Sequence, residues 1–179
     1  MMQELRSAVF GRATRIAAGE CLARASCMNA ITLIRQQHAQ IDALLVRAVT
    51  EPSLSLMLRV GDLFVAHAEI EEKLFYPAFA TAEERPALIE YVRDHQQIRR
   101  LLSVMTEPSC VTVESIEAVR EAIQVHAIEE EEAYLLPLAA RPLTPRELDV
   151  LGDRMLVMYV RLLERSPWVG LPAESRMPV

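Results

Sequence analysis

Residues 67–77 read HAEIEEKLFYP, and residues 126–137 read HAIEEEEAYLLP. In each stretch a histidine is followed by acidic residues, then by apolar and aromatic residues, and finally by a proline. Both stretches lie in long segments whose apolar residues recur at steps of three and four, the spacing typical of amphipathic helices. They predict two helices that each turn a histidine and a carboxylate toward the same buried face.

Four segments of the chain have this helical periodicity, and short breaks containing proline separate them. Such short connections require consecutive helices to lie antiparallel as neighbours. A fifth helix is expected from Thr144 to about Glu164, because Thr144, Pro145 and Glu147 form a helix-capping sequence. The predicted fold class is therefore all-α: an up-down-up-down four-helix bundle with an additional C-terminal helix packed outside. The predicted bundle segments are 29–49, 53–80, 84–106 and 113–140.

The length of 179 residues suits one domain with its own hydrophobic core. The patterned sequence begins after Met28, so residues 1–27 are interpreted as an N-terminal extension that need not be native, with Met28 as the candidate start. Residues 28–165 are predicted to form the bundle and the C-terminal helix. Residues 166–179 are predicted to be an irregular tail.

Composition excludes several classes of protein. The formal net charge of -6, with arginines scattered among acids, argues against a nucleic-acid partner. No apolar run approaches the length of a membrane span. Cys21, Cys27 and Cys110 have no spacing typical of a zinc site or a disulfide framework, which favours a reducing compartment. We therefore expect a cytoplasmic protein; its oligomeric state is not encoded in any pattern.

All four histidines of the chain fall on the inward stripe of a predicted helix. Random placement would achieve this roughly one time in 150. Each histidine also lies near the middle of its helix, so antiparallel helices bring the four to one level. Two glutamates share these stripes. The six inward polar residues are His38, His67, Glu71, His95, His126 and Glu130.

Six polar groups at one depth of an apolar core are costly unless they are paired, and a bound metal removes that cost. Imidazoles with carboxylates suit iron, manganese or zinc, whereas the lack of nearby thiolates argues against structural zinc or an iron–sulfur cluster. Six donors exceed what one tetrahedral ion uses. The residues therefore favour two ions with coordination positions left open for a small ligand.

The identity of the inward carboxylate on the fourth helix is left undecided. Pro77 follows His67 by ten residues, whereas Pro137 follows His126 by eleven, which suggests a one-residue bulge. Glu130 keeps the regular stripe and is preferred, and Glu131 is the alternative. The remaining acids of the two stretches are interpreted as solvated flanks. They are Glu69, Glu72, Glu129 and Glu132.

These residues resemble the hemerythrin-like, or HHE cation-binding, family over roughly Met28 to Leu163. The likeness lies in an inward histidine on the first helix, the His67 to Glu71 pair before EKLFYP, a lone histidine in RDHQQI, and the His126 to Glu130 pair. The resemblance implies that the six residues hold two iron ions joined by an oxo or hydroxo bridge, with manganese able to replace one iron. It also implies that Glu71 and Glu130 are bridging carboxylates.

The chain departs from the oxygen-carrying branch at Tyr91. Oxygen carriers in this family have another histidine four residues before the one that matches His95, and here that position is tyrosine. Tyr91 is a candidate labile ligand or hydrogen-bond donor beside the metals, with a packed core tyrosine as the alternative. The set of four histidines and two glutamates is more similar to the bacterial branch linked to oxygen, nitric oxide or peroxide, iron sensing and iron-cluster repair.

The leading functional expectation is a di-iron protein that binds, senses or reacts with oxygen, nitric oxide or peroxide. Whether it is an enzyme is left open; an enzymatic form is a peroxide- or nitric-oxide-consuming oxidoreductase. The alternatives are an iron-donating or iron-cluster repair protein and a metal-free helical interaction module. Multiple turnover separates the enzyme from the binding protein, and metal content after purification separates both from the metal-free module.

Overall fold

The computed structural model describes residues 28–81, 83–166 and Trp168. The predicted extension, residues 1–27, and all of the predicted tail except Ser166 and Trp168 lie outside the described residues. Within the described residues the regular structure is helical throughout, which confirms the all-α fold class. Helix α1 spans Ala30–Thr50, α3 spans Arg85–Val104 and α5 spans Pro145–Leu163.

Helices α2 and α4 each contain a π-helical segment. Helix α2 is α-helical over Leu54–Ile70, π-helical over Glu71–Phe75 and α-helical again over Tyr76–Phe79. Helix α4 follows the same plan with Val113–Gln124, Val125–Leu135 and Leu136–Ala139. A short 3-10 turn, Pro108–Cys110, lies between α3 and α4.

Each π segment ends two residues before a proline, Pro77 in α2 and Pro137 in α4. Proline has no N–H to donate, and its ring collides with the carbonyl of the preceding helical turn. A wider π turn relieves that collision without ending the helix. The prolines therefore fit inside continuous helices, directly after the segments that carry the acidic residues.

Side-chain caps define where several helices begin. The Asn29 carboxamide oxygen accepts from the backbone N–H of Ile31, which starts α1. Thr112 and Ser115 form a reciprocal capping box at α4. Thr144 and Glu147 form another at α5, as the sequence predicts.

The first four helices form a ring in which α1 packs on α2, α2 on α3, α3 on α4 and α4 on α1. Short connections make neighbouring helices antiparallel, which gives the predicted up-down-up-down order. Inward apolar residues fill the space above and below the middle of this ring, where the polar residues described below are found. Examples of these buried residues are Ile34 and Leu45 of α1, Leu63 of α2, Leu102 of α3 and Ile116 of α4.

Helix α5 packs outside the ring against α1 and α2. Its close approach to the residues just before α1 depends on Gly152, where an added Cβ would lie 1.6 Å from the carbonyl oxygen of Met28. The Met28 backbone N–H also donates to Asp153. Among the described residues no helical stretch has both the length and the sustained apolar character that crossing a bilayer demands.

Trp168, one of the two described residues of the predicted tail, packs on the bundle. Its side chain is fully buried, and its backbone N–H donates to the buried Asp62 carboxylate at 3.0 Å. The indole covers Gly61 of α2, where an added Cβ would lie 2.6 Å from Trp168 Cδ1. The chain after α5 therefore returns to the bundle at this residue.

Candidate metal centre

The four histidines meet in the middle of the bundle, one from each helix of the ring. All four are buried, and none exposes more than 7% of its surface. The ring centroids of His38 and His67 lie 4.8 Å apart, and those of His95 and His126 lie 4.7 Å apart. The His67 and His126 centroids are separated by 6.3 Å. The inward stripe positions of the sequence therefore do converge at one level.

Glu71 brings a carboxylate from α2 between two of these imidazoles. Its Oε2 atom lies 3.3 Å from His67 Nε2 and 3.2 Å from His95 Nε2. Glu71, the first residue of the π segment, follows His67 by four residues, and its backbone N–H still donates to the His67 carbonyl oxygen as in an α-helix, so both side chains lie on one face. Its side chain is completely buried.

Among the described side chains of α4, the carboxylate that lies in the cluster is Glu131, the alternative kept open by the sequence. Glu131 is completely buried, with Oε2 2.9 Å from His38 Nε2 and Oε1 3.3 Å from His126 Nε2. The physical reason is the π segment: hydrogen bonds from i to i+5 bring residue i+5, rather than i+4, back to the face of His126. The side chain of the preferred candidate, Glu130, lies outside the described residues.

Together these groups make a compact cluster of possible metal donors. One donor atom from each of five buried residues lies within 4.8 Å of the others. His38 stands next to this group through its contact with Glu131. The five residues are His67, Glu71, His95, His126 and Glu131.

Two further side chains orient the histidines, and neither was predicted from the sequence. The Gln37 carboxamide oxygen lies 2.9 Å from His67 Nδ1, and Glu72 Oε1 lies 2.8 Å from His95 Nδ1. Both oxygens are acceptors, so each Nδ1–H donates and each Nε2 turns a lone pair toward the cluster. Arg99 Nη1 donates to the same Glu72 oxygen at 3.1 Å.

Glu72 was therefore wrongly interpreted as a solvated flank, because its side chain is largely covered and exposes only 22%. Glu132 is half exposed, with Oε1 3.5 Å from His38 Nδ1. Glu69 forms an ion pair with Lys73 away from the cluster. The side chain of Glu129 lies outside the described residues.

Tyr76 joins the two carboxylates across the bundle, another role that the sequence did not reveal. Its hydroxyl donates to Glu131 Oε1 at 3.0 Å and to Glu71 Oε2 at 3.3 Å. Its ring stacks on His95 with an interplanar angle of 13°. Tyr91, the predicted labile ligand or hydrogen-bond donor beside the metals, is half-buried, with its ring centroid 6.5 Å from that of His126.

Burial sets the protonation of the imidazoles. It lowers the pKa of His67 well below its ordinary value, and the neighbouring His38 lowers it further. Burial also lowers the pKa of His95 to about 4, against the raising effect of its hydrogen bond with Glu72. Both imidazoles are therefore neutral near pH 7, the form that binds a cation.

The two carboxyl groups differ in the direction of their pKa shifts. Burial raises the pKa of Glu71 well above its ordinary value, and the charge of Glu131 adds to this effect. Burial alone would raise the pKa of Glu131 as well, but the imidazoles of His126 and His38 outweigh it and hold that pKa well below the ordinary value. One carboxyl group thus keeps a proton that a bound cation would replace.

The donor set fits a metal on a direct structural test. Among the described residues, His67 Nε2 and Glu71 Oε1 have no hydrogen-bond partner although both are fully buried. His67 Nε2 also faces the Glu71 carboxyl group, and the proton that Glu71 keeps in the metal-free protein occupies the place that a bound cation would take. Leaving such groups unsatisfied costs about 1–3 kcal/mol each. Coordination of a cation removes that cost.

Comparison with known proteins agrees with this geometry. The family model of the hemerythrin HHE cation-binding domain matches residues 29–139. The chain belongs to this family. The matched hemerythrin HHE region covers the four helices of the ring and every residue of the cluster, whereas α5 lies beyond it. Membership in this family supports binding of a cation at the buried histidines and glutamates.

Searches of curated proteins and of solved structures found no match to this chain. The family assignment therefore depends on the HHE sequence match and on the geometry of the bundle.

Proposed function

We propose that this HHE protein holds two iron ions in the buried cluster and binds, senses or reacts with oxygen, nitric oxide or peroxide there. The observation that carries the proposal is the pairing of donors within the cluster. Glu71 lies between His67 and His95, and Glu131 lies between His38 and His126. Two groups, each with two imidazoles and one carboxylate, favour two ions over one.

Iron is the proposed metal because the donors are imidazoles and carboxylates and because the chain is an HHE protein. Manganese suits the same donors and can replace one ion of the pair. When bound, the two ions would be joined by an oxo or hydroxo bridge. They would supply open coordination positions at which a small ligand attaches. The protein's own part is to hold neutral imidazoles in one tautomer through Gln37 and Glu72 and to keep bulk water away by burial.

Iron content tests the proposal. His67→Ala and Glu71→Ala are each expected to lose most of the iron that the wild-type protein binds, because the remaining donors cannot complete both coordination spheres. Glu69→Ala is the matched control, since Glu69 lies two residues from Glu71 but pairs with Lys73 outside the cluster. Elemental analysis after anaerobic purification gives the iron content, and an absorption spectrum of the oxygenated protein reports the bridge. Unchanged iron in both cluster variants would refute the proposal.

Turnover separates an enzyme from a sensor or storage protein. An oxidoreductase consumes many equivalents of peroxide or nitric oxide per iron pair when a reductant is supplied, whereas a binding protein takes up one equivalent. Anaerobic stopped-flow spectroscopy with increasing ligand would distinguish the two results.

A further inference from the structure

A groove of about 420 Å³ lies on the surface between α2 and α3. Apolar side chains from both helices line most of it, and its charged lining residues, Glu72 and Arg85, have opposite signs. We call it the α2–α3 groove. Its apolar lining residues are Pro77 of α2, Ala80 directly after α2, and Leu88, Ile89 and Val92 of α3.

Tyr76 belongs both to this groove and to the buried cluster. It lines the groove, whereas its hydroxyl donates to Glu71 and Glu131 on the inner side. Only 4% of Tyr76 is exposed, so its ring fills the space between the groove and the two carboxylates. Glu72 likewise lines the groove and holds His95 through Nδ1. The groove and the cluster are thus separated by a single layer of side chains.

We infer that the α2–α3 groove is the route by which an uncharged diatomic molecule reaches the candidate metal centre, and that the Tyr76 ring is the barrier at its inner end. The inference rests on the proposed function and narrows it to oxygen or nitric oxide. An apolar lining takes up such molecules readily, whereas hydrogen peroxide, although uncharged, would lose its hydrogen bonds with water there. Movement of the Tyr76 ring would open the last step of the route.

The first test uses metal-free protein, so it does not depend on iron binding. Dissolved oxygen is paramagnetic and increases the relaxation of nearby methyl protons. The enhancement is expected to be larger at Leu88 and Val92 in the α2–α3 groove than at Val46 of α1, which is 44% exposed and does not line this groove. Enhancement that simply follows solvent exposure, with Val46 the highest, would overturn the inference.

The second test measures nitric oxide association with the ferrous, iron-loaded protein by stopped-flow absorption. Val92→Trp fills the groove and is expected to slow association roughly tenfold. The same substitution at Val157 is the matched control and is expected to leave the rate unchanged. Val92→Phe provides a smaller block if the tryptophan variant does not fold. Equal rates in wild-type, Val92 and Val157 variants would overturn the route.

Two variants of Tyr76 test the barrier itself. Tyr76→Phe and Tyr76→Ala both lack the hydroxyl that holds the carboxylates, but only the phenylalanine keeps the ring. Association of nitric oxide is therefore expected to be roughly tenfold faster in Tyr76→Ala than in Tyr76→Phe at equal iron content. Equal rates would show that the ring is not the barrier. Absence of iron from the wild-type protein would instead refute the proposed function, and the oxygen relaxation test would still decide the groove.

Discussion

At the level of single residues, the carboxylate on α4 shows how backbone geometry selects a donor from a run of four glutamates. In an α-helix the partner of His126 is the fourth residue after it, and Glu130 has that position. In the π segment the fifth residue returns to the same face, and Glu131 lies there with both oxygens against histidines. The two neighbouring glutamates can therefore be distinguished by experiment.

Glu131→Ala is expected to lose most of the bound iron, whereas Glu130→Ala is expected to retain it. The reason is that Glu131 supplies the oxygens next to His38 and His126, and their removal leaves half of the cluster without a carboxylate. Elemental analysis of both variants, purified side by side, measures the difference. Iron loss in Glu130→Ala with retention in Glu131→Ala would show that Glu130, which keeps the regular stripe, is the ligand instead of Glu131.

The sequence predicted the inward histidines and Glu71 because burial on a helix is periodic and these residues keep the period. It did not predict Gln37, Glu72 or Tyr76. These residues lie beside the stripe and contribute by hydrogen bonding to a histidine or a carboxylate of the cluster. Nothing in the local pattern separates Glu72 from Glu69, since both are acids flanking Glu71. Only the position of α3, which brings His95 toward Glu72, makes the distinction.

At the level of helices, the π segment of α4 carried a partial sequence signal, whereas the π segment of α2 was not predicted. Pro137 lies eleven positions after His126, whereas Pro77 lies ten positions after His67, and this difference indicated an extra residue in α4. The spacing of histidine and proline could not show where the extra residue lies, so it could not decide between adjacent glutamates. The capping residues of α5 were more informative, because Thr144 and Glu147 act on backbone groups of their own turn.

Trp168 was not predicted to pack on the bundle, because one tryptophan among prolines has no helical period to place it. Its position nevertheless explains Gly61 in the middle of α2, where glycine otherwise costs about 1 kcal/mol relative to alanine. Any side chain at residue 61 would overlap the indole, with an added Cβ only 2.6 Å from Trp168 Cγ.

Gly61→Ala is therefore expected to destabilise the protein by about 1–3 kcal/mol, because the methyl group displaces the indole from a packed site. The chain has one tryptophan, so its fluorescence reports the displacement directly as a shift to longer wavelength. Urea unfolding of the variant measures the change in free energy.

A second background supplies the control for Gly61. In a Trp168→Ala protein the overlap is gone, and Gly61→Ala is expected to stabilise α2 by up to about 1 kcal/mol through helix propensity. The effect of Gly61→Ala on the free energy of unfolding should therefore change sign between the wild-type protein and the Trp168→Ala protein. A destabilisation of equal size in both would show that Trp168 is not the cause.

At the level of the whole molecule, the bundle buries several ionisable groups at one level, and this makes stability depend on pH. In the metal-free protein His67 and His95 both have a lowered pKa, the latter about 4. An unfolded histidine has a pKa of about 6.5. Below that pH the unfolded chain binds protons that the folded chain does not, so stability falls as pH decreases. Glu71 acts in the opposite direction. Because its pKa is raised, the folded protein keeps a proton on Glu71 that the unfolded chain has released above pH 4.5.

Between pH 6 and pH 5 His95 alone releases close to one proton on folding, because its pKa is about 4 in the folded protein and about 6.5 in the unfolded chain. His67 acts in the same direction and Glu71 in the opposite one. The free energy of unfolding of metal-free protein is therefore expected to fall by about 1 kcal/mol per pH unit on acidification. Urea midpoints measured from pH 7 to pH 5 test this expectation. His95→Gln removes one of the two titrating imidazoles, leaving His67 to balance Glu71, so its midpoint should stay nearly flat over the same interval. A wild-type midpoint that is constant, or that rises toward pH 5, would contradict the neutral, buried state of these histidines.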